Sequence, residues 1–156
     1  MRKTNDNVNH SLRNNEDGVL DLIHTVMHQY RSMQYQALRD GPHDITHMEG
    51  KVLGFFGHHP GATQSDLAKH SGRDKAQLAR LIKGLRDRGL LDAVADQSDK
   101  RNVRLTLTSD GQSVLTVLRQ QAKRLNTLAL QGMDSREQEQ LQQLLQRVKV
   151  NLDAGS

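Results

Sequence analysis

Between Lys69 and Arg104 the chain sets ten basic residues against five acids, a local charge of +5 in a protein whose total is +4. The remainder is therefore about −1 (4 − 5), and such a concentrated basic excess is the footprint expected of a polyanion-binding surface. Within the segment, Lys75, Gln77 and Arg80 fall in the first half of a helical pattern whose opposite face is Leu78, Leu81, Ile82 and Leu85. Gln can pair bidentately with adenine, and Arg or Lys with guanine, so this trio carries the chemistry to read base edges in a major groove. Lys69, Arg73, Lys83 and Arg86 are placed by spacing for phosphates, contacts that set register and affinity without specifying sequence. Lys100, in the polar run DQSDKRN at 96–102, is a further phosphate candidate.

Histidines offer a second chemistry. His24 and His28 stand four apart on a helical pattern, and His43, Asp44 and His47 cluster in the following connection. Imidazole and carboxylate can hold zinc or another transition metal without thiolates. Surface or interface histidines are the competing reading of the same pattern. No nucleophile with an acid–base set and no Gly-rich phosphate loop appears, so catalysis is not expected.

These residues need elements to position them. Apolar spacing predicts a helix from Asp17 to Arg39, ended by Gly41-Pro42. Thr46 with Glu49 predicts a capping box opening a helix that stops at Pro60-Gly61, and Thr63 with Asp66 predicts a second N-cap. A short helix to about Gly72 and a basic one from Asp74 to Arg88 follow, with Gly89 at the C-cap. Two short strands flank DQSDKRN, which becomes their connecting loop. A long helix begins at Thr108 or Ser109 and breaks at Gly132. Asp134 with Glu137 then opens a last helix with a narrow apolar seam of Leu141, Leu144, Leu145, Val148 and Leu152. Such a seam on a hydrophilic helix points to packing between chains, with packing inside one chain as the alternative.

Composition narrows the class. The chain has 156 residues, no cysteine and only 3% aromatic residues, so aliphatic side chains must fill the core and thiol chemistry is absent. No apolar run is long enough for a transmembrane span, and the polar N-terminus lacks the apolar centre of a signal peptide. A cytoplasmic protein without membrane contact is the expectation.

Helix, turn, basic helix and charged-tip hairpin form the order of a winged helix-turn-helix. The expected fold is mainly α with a small β-hairpin wing and helices for dimerisation at both ends. Its expected parts are an arm at 1–15, disordered or ordered by a partner, a dimerisation helix at 16–45, a DNA-binding lobe at 46–110 and dimerisation helices at 111–152. The stretch Thr63–Gly111 resembles the MarR family of bacterial transcription regulators. The resemblance rests on Asp66-Leu67-Ala68, Asp74-Lys75, Leu85, Arg88-Gly89-Leu90, Asp99-Lys100-Arg101, Leu107-Thr108 and Gly111.

The resemblance implies a homodimer with interlocking terminal helices, two recognition helices on a palindromic double-stranded DNA operator, and wings over neighbouring minor grooves. Carried over by position, Arg101 is the arginine that enters the minor groove and Asp99 the acid that braces it. It further implies a repressor released by a small-molecule or ion signal. The small-molecule reading puts Tyr30, Met33 and Phe56 at an apolar pocket beside Phe55; the ion reading puts a divalent metal at His24, His28, His43 or His47. Ala76 and Ala79 stand where the family often has Ser or Thr, Gln77 where a small hydroxyl residue is common, and Asp92 near a place where Arg is frequent. These departures bear on the operator sequence. A winged helix used only for protein–protein contact is the other alternative.

Overall fold

A computed structural model describes residues 18–99 and 101–156. The expected arm at 1–15 and the phosphate candidate Lys100 lie outside the described residues. In order, the described elements are α1 (Gly18–Arg39), α2 (His47–His58), β1 (Ala62–Thr63), α3 (Gln64–Ser71), α4 (Lys75–Asp87), β2 (Leu91–Ala95), β3 (Val103–Leu107), α5 (Ser109–Ala129) and α6 (Ser135–Ala154). Of the described residues, those up to Leu118 form one compact unit and Arg119–Ser156 a second, the boundary falling within α5.

Local hydrogen bonding sets the helix starts. Thr46, Thr63 and Asp134 each accept from the backbone N–H three residues on, while Glu49, Asp66 and Glu137 reach back to the cap, so all three N-termini are closed capping boxes. Thr108 caps α5, its Oγ1 accepting from Gly111 N at 3.0 Å. At the end of α4 the chain reverses through Gly89, whose φ of 72° is left-handed and suits glycine.

The sheet has one strand more than the sequence pattern indicates. β3 lies in the middle, antiparallel to both β1 and β2, with Ala62 opposite Leu105 and Leu91 opposite Leu107. With two residues, β1 has no periodicity to read and is defined only by its pairing.

The core of the first unit joins α2, α3, α4 and the sheet. Leu53, Phe56, Leu78, Leu85, Leu90 and Leu105 are fully or almost fully buried in it, each such side chain contributing about 1.5–3 kcal/mol by leaving water. Alternation in β3 carries inward only at Leu105 and, partly, Leu107; Val103 lies toward the tip and is exposed. Gly111 sits where a Cβ would come within 2.2 Å of the Leu90 carbonyl oxygen, so the start of α5 approaches the β2 entry as closely as glycine permits.

Two helices keep apolar faces in the open. α1 exposes Val19, Leu22 and Val26, and α6, with no buried residue, exposes Leu141, Leu144 and Leu152. Among the described residues no helix is long and apolar enough to cross a membrane.

Candidate nucleic-acid interface

α4 is amphipathic in the register the sequence pattern calls for. Leu78, Ile82 and Leu85 are buried, leaving Lys75, Gln77, Arg80, Lys83 and Arg86 exposed on the remaining circumference. Asp74 caps it, its Oδ1 accepting from Ala76 N at 3.3 Å. At 1.5 Å per residue the helix is about 20 Å long, a rod of the dimensions a major groove admits.

Two of the cationic side chains on α4 already have intrahelical company. Arg80 Nε donates to the Ala76 carbonyl at 3.4 Å, and Lys83 Nζ meets Asp87 Oδ2 at 2.8 Å. Lys83 is thus partly neutralised in place, whereas Lys75 and Arg86 border a cleft of about 300 Å³. That cleft is also lined by Gln64 and Ser65 at the start of α3 and by Arg101 and Asn102 of the hairpin loop. Three of the predicted cations, Lys75, Arg86 and Arg101, therefore meet on one concave face. Lys69 is exposed near the end of α3, and Arg73 lines a different cavity, beside Phe55 and Leu67.

The hairpin tip is internally braced. Its loop is closed by Asp96 N donating to Asn102 O at 2.9 Å, and Asp96 Oδ1 accepts from both Ser98 N (3.1 Å) and Ser98 Oγ (2.9 Å). Asp99 Oδ1 accepts from the backbone N–H of Arg101 at 3.0 Å. Asp99 thus orients Arg101 through the main chain of the turn. Its carboxylate is bonded there to the backbone N–H, a different contact from a brace on the guanidinium.

The acid that does hold a guanidinium is Asp96, through Arg104. Arg104 Nη2 donates to Asp96 Oδ2 at 3.0 Å and Nη1 to the Gly61 carbonyl at 3.0 Å, linking the wing base to the chain just before β1. The Asp96 carboxyl is held below the usual range, first by the Ser98 backbone N–H, then by the Ser98 hydroxyl, and only then by Arg104. Sequence reading counts Arg104 as one more surface cation; the signal that could single it out is its outward register beside an inward Leu105.

The ligand and metal candidates separate. Phe56 is fully buried in the core and lines neither the cationic cleft nor the cavity beside Phe55, which corrects its assignment to a pocket wall. Its neighbour Phe55 faces a cavity instead. Tyr30 is half-buried and Met33 exposed, both on α1. His24 and His28 are exposed on α1; His43 Nε2 stands 3.8 Å from Asp110 Oδ2. His47 packs edge-on against Tyr35 at 5.7 Å, its Nδ1 buried without a hydrogen-bond partner. Burial, followed by the fields of Arg31, Lys51 and Arg73, holds its pKa below the ordinary value. Tyr35, partly buried and donating to the His47 carbonyl at 3.3 Å, has its pKa pushed up to about 12, first by that burial. Among the described residues no group of three or more His, Asp or Glu assembles in a way that could hold a metal ion, so His43, Asp44 and His47 do not form the expected cluster.

Comparison with known proteins agrees with this geometry. The sequence pattern of the MarR family matches residues 43–102, from the connection ahead of α2 to the end of the wing loop. The uncharacterized HTH-type transcriptional regulator YybA of Bacillus subtilis (strain 168) is 31% identical over 110 residues, covering 70% of this chain and 73% of that one. The crystal structure of the transcriptional regulator SlyA is similar with a TM-score of 0.71 and 25% identity, covering 88% of this chain and 95% of that one. Streptococcus pneumoniae FabT, solved in complex with DNA, shares the fold with a TM-score of 0.78 at 19% identity, over 88% of this chain and 97% of FabT. A basic helix buried on its leucine face, a wing tied to the chain ahead of β1, and a relative matched along most of its length have one common explanation: the chain belongs to the MarR family of helix-turn-helix transcriptional regulators.

Proposed function

We propose that the protein is a sequence-specific DNA-binding regulator that acts as a homodimer in the cytoplasm, reading a palindromic operator with α4 in the major groove and the wing in the adjoining minor groove. The observation that carries this reading is the convergence of Lys75, Arg86 and Arg101 on the cleft between α3, α4 and the wing. One concave, cationic face made from helix and wing suits a duplex backbone, which supplies most of the affinity through counterion release. On this reading Lys75, Gln77 and Arg80 contact base edges, while Lys69, Arg73, Lys83, Arg86 and Lys100 contact phosphates. Arg101 enters the minor groove, where a narrow A·T-rich tract concentrates negative potential.

The open apolar faces of α1 and α6 support dimerisation, because Val19, Leu22 and Val26, and Leu141, Leu144, Leu145 and Leu152, recur at helical spacing and so form contiguous apolar stripes of the kind that mark an interaction surface. A twofold arrangement of recognition helices matches a twofold operator. Regulation, not catalysis, is the activity that family membership favours, and repression relieved by a bound signal is its default form.

Fluorescence anisotropy with the chain's own upstream DNA tests the reading. Affinity well above that for random duplex, with a steep loss between low and moderate salt, is expected. Equal affinity for both duplexes, or no salt dependence, would refute it. Sedimentation of a deletion starting at Asp134 tests the dimer, which should weaken when α6 is removed.

A further inference from the structure

α1 joins the lobe with little burial. Leu38 is its one buried side chain, and none of residues 39–44, which lead toward α2, is buried. Apolar burial is non-directional, so the angle of this joint comes from polar contacts. Tyr35 lies in a notch at Gly50, where a Cβ would overlap its hydroxyl, and donates to the His47 carbonyl at 3.3 Å. His43 Nε2 stands 3.8 Å from Asp110 Oδ2 at the start of α5. Neither contact reaches α4.

Arg88 supplies the contact that does. Its Nη1 donates to Glu49 Oε2 at 2.8 Å and its Nη2 to the Asp44 carbonyl. Both ends of this bridge are held. Arg88 is the C-cap of α4, its N–H donating to the Gly84 carbonyl at 3.1 Å, and the left-handed Gly89 turns the chain directly behind it. Glu49 gives its other oxygen, Oε1, to the Thr46 N–H in the capping box of α2. The Lys83–Asp87 and Lys149–Asp153 pairs each span one helical turn in the open, whereas the Glu49 side chain is only 16% exposed. A planar fork on two acceptors from different segments fixes direction as well as distance, which a point charge does not.

We propose that Arg88 is a positioning residue that sets the angle between α1 and the recognition helix α4, and through it the half-site spacing the protein accepts. Leu78, Ile82 and Leu85 seat α4 in the lobe without Arg88. What Arg88 adds is a tie from the C-terminal end of α4 to the connection that carries α1. Without that tie, residues 39–44 are free to pivot between the buried Leu38 and Ile45, and α1 turns with them. Where two chains join through α1 and α6, a change of angle at each joint becomes a displacement between the two α4 helices, and half-site spacing follows that displacement. The spacing depends on the dimeric DNA-binding reading above; the angle does not.

The angle is measured without DNA. The chain has no cysteine, so His28→Cys on α1 and Ala76→Cys on α4, both at exposed positions, give two unique sites for spin labels. Doubly labelled protein diluted into unlabelled chain reports the distance within one chain by pulsed electron resonance. A single narrow distribution is expected with Arg88 present, and a broadened or displaced one in Arg88→Ala and in Arg88→Lys. Glu49→Gln, which keeps a capping-box residue, should broaden it as well and decides the matter where Arg88→Ala does not fold. A distribution unchanged by loss of the pair would overturn the proposal.

Spacing is measured by anisotropy with the operator and with a version carrying one extra base pair between its half-sites. The parent should lose about tenfold in affinity on insertion, and Arg88→Ala about threefold or less. This ratio cancels the fraction of folded protein, so a residue that only stabilised the lobe would leave it unmoved. An insertion penalty equal to that of the parent would overturn the spacing role. A parent that binds no operator, or that ignores the insertion, would instead refute the dimeric DNA-binding reading, and the distance distribution would still decide the role of Arg88.

Discussion

Asp96 and Arg104 face each other across the base of the wing, eight residues apart in sequence and 3.0 Å apart between carboxylate and guanidinium. The same guanidinium holds the Gly61 carbonyl, so one side chain connects the hairpin loop to the chain leading into β1 and α3. The wing's tilt toward α3 is therefore anchored at Arg104, behind the tip, while Asp99 shapes the turn that presents Arg101. Arg104→Ala should weaken operator binding as strongly as Arg101→Ala while lowering the urea unfolding midpoint only modestly, since Arg104 is half exposed and Asp96 keeps its two bonds from Ser98. An Arg104→Ala protein with full affinity would show that the clamp plays no part in binding.

Arg88 closes a longer loop. Its Nη1 meets Glu49 Oε2 at 2.8 Å and its Nη2 donates to the Asp44 carbonyl, so the end of α4 is fastened to the capping box of α2. Arg88→Ala should lower stability by about 1–2 kcal/mol, a charged hydrogen bond discounted for partial exposure. Arg88→Lys should recover little, because a point charge cannot serve two acceptors in a fork. Denaturant titration of both variants checks this.

Gly111→Ala should destabilise by about 1–3 kcal/mol, as overpacking does. The added Cβ would meet backbone, the Leu90 carbonyl oxygen at 2.2 Å, and backbone cannot rotate away. A thermal midpoint equal to that of the parent would contradict the close approach.

On the reading face, Gln77→Ala should cost about 1–3 kcal/mol against the preferred operator and relax discrimination at one base pair. Lys83→Ala should cost less than either Lys75→Ala or Arg86→Ala, because Asp87 already neutralises Lys83 at 2.8 Å. Anisotropy with matched and single-substituted duplexes separates these effects. A larger loss at Lys83 would mean that the pair opens on DNA.

The partly buried imidazole of His47 predicts a pH dependence. Its folded pKa lies below the ordinary histidine value, mainly through burial, so the unfolded chain binds the proton more readily. Stability from this group is complete above the unfolded value of about 6.5 and is lost as pH falls from there through the lowered folded pKa. His47→Phe keeps a ring against Tyr35 and should flatten that part of the curve in urea titrations. A slope that survives the substitution would assign it to other groups.

The helix boundaries and their residue classes were determined by sequence alone, because they rest on short-range chemistry. Thr46 with Glu49, Thr63 with Asp66, and Asp134 with Glu137 close boxes across three residues, a distance the local backbone sets without help. The leucine face of α4 is equally local, a matter of 3.6-residue period. Tertiary structure decided everything that depends on which distant surfaces meet. β1 exists because β3 pairs with it. Arg88 finds an acid 39 positions away. Phe55 and Phe56, alike by composition, are split by one step of helical rotation into cavity wall and core. The convergence of Lys75, Arg86 and Arg101 belongs to the same class: charge density near the site is legible residue by residue, but its concave arrangement requires the wing to fold back toward α4. Local hydrogen bonds and periodicity write helices directly into a sequence, whereas packing between elements is settled only when the burial of all of them is satisfied together.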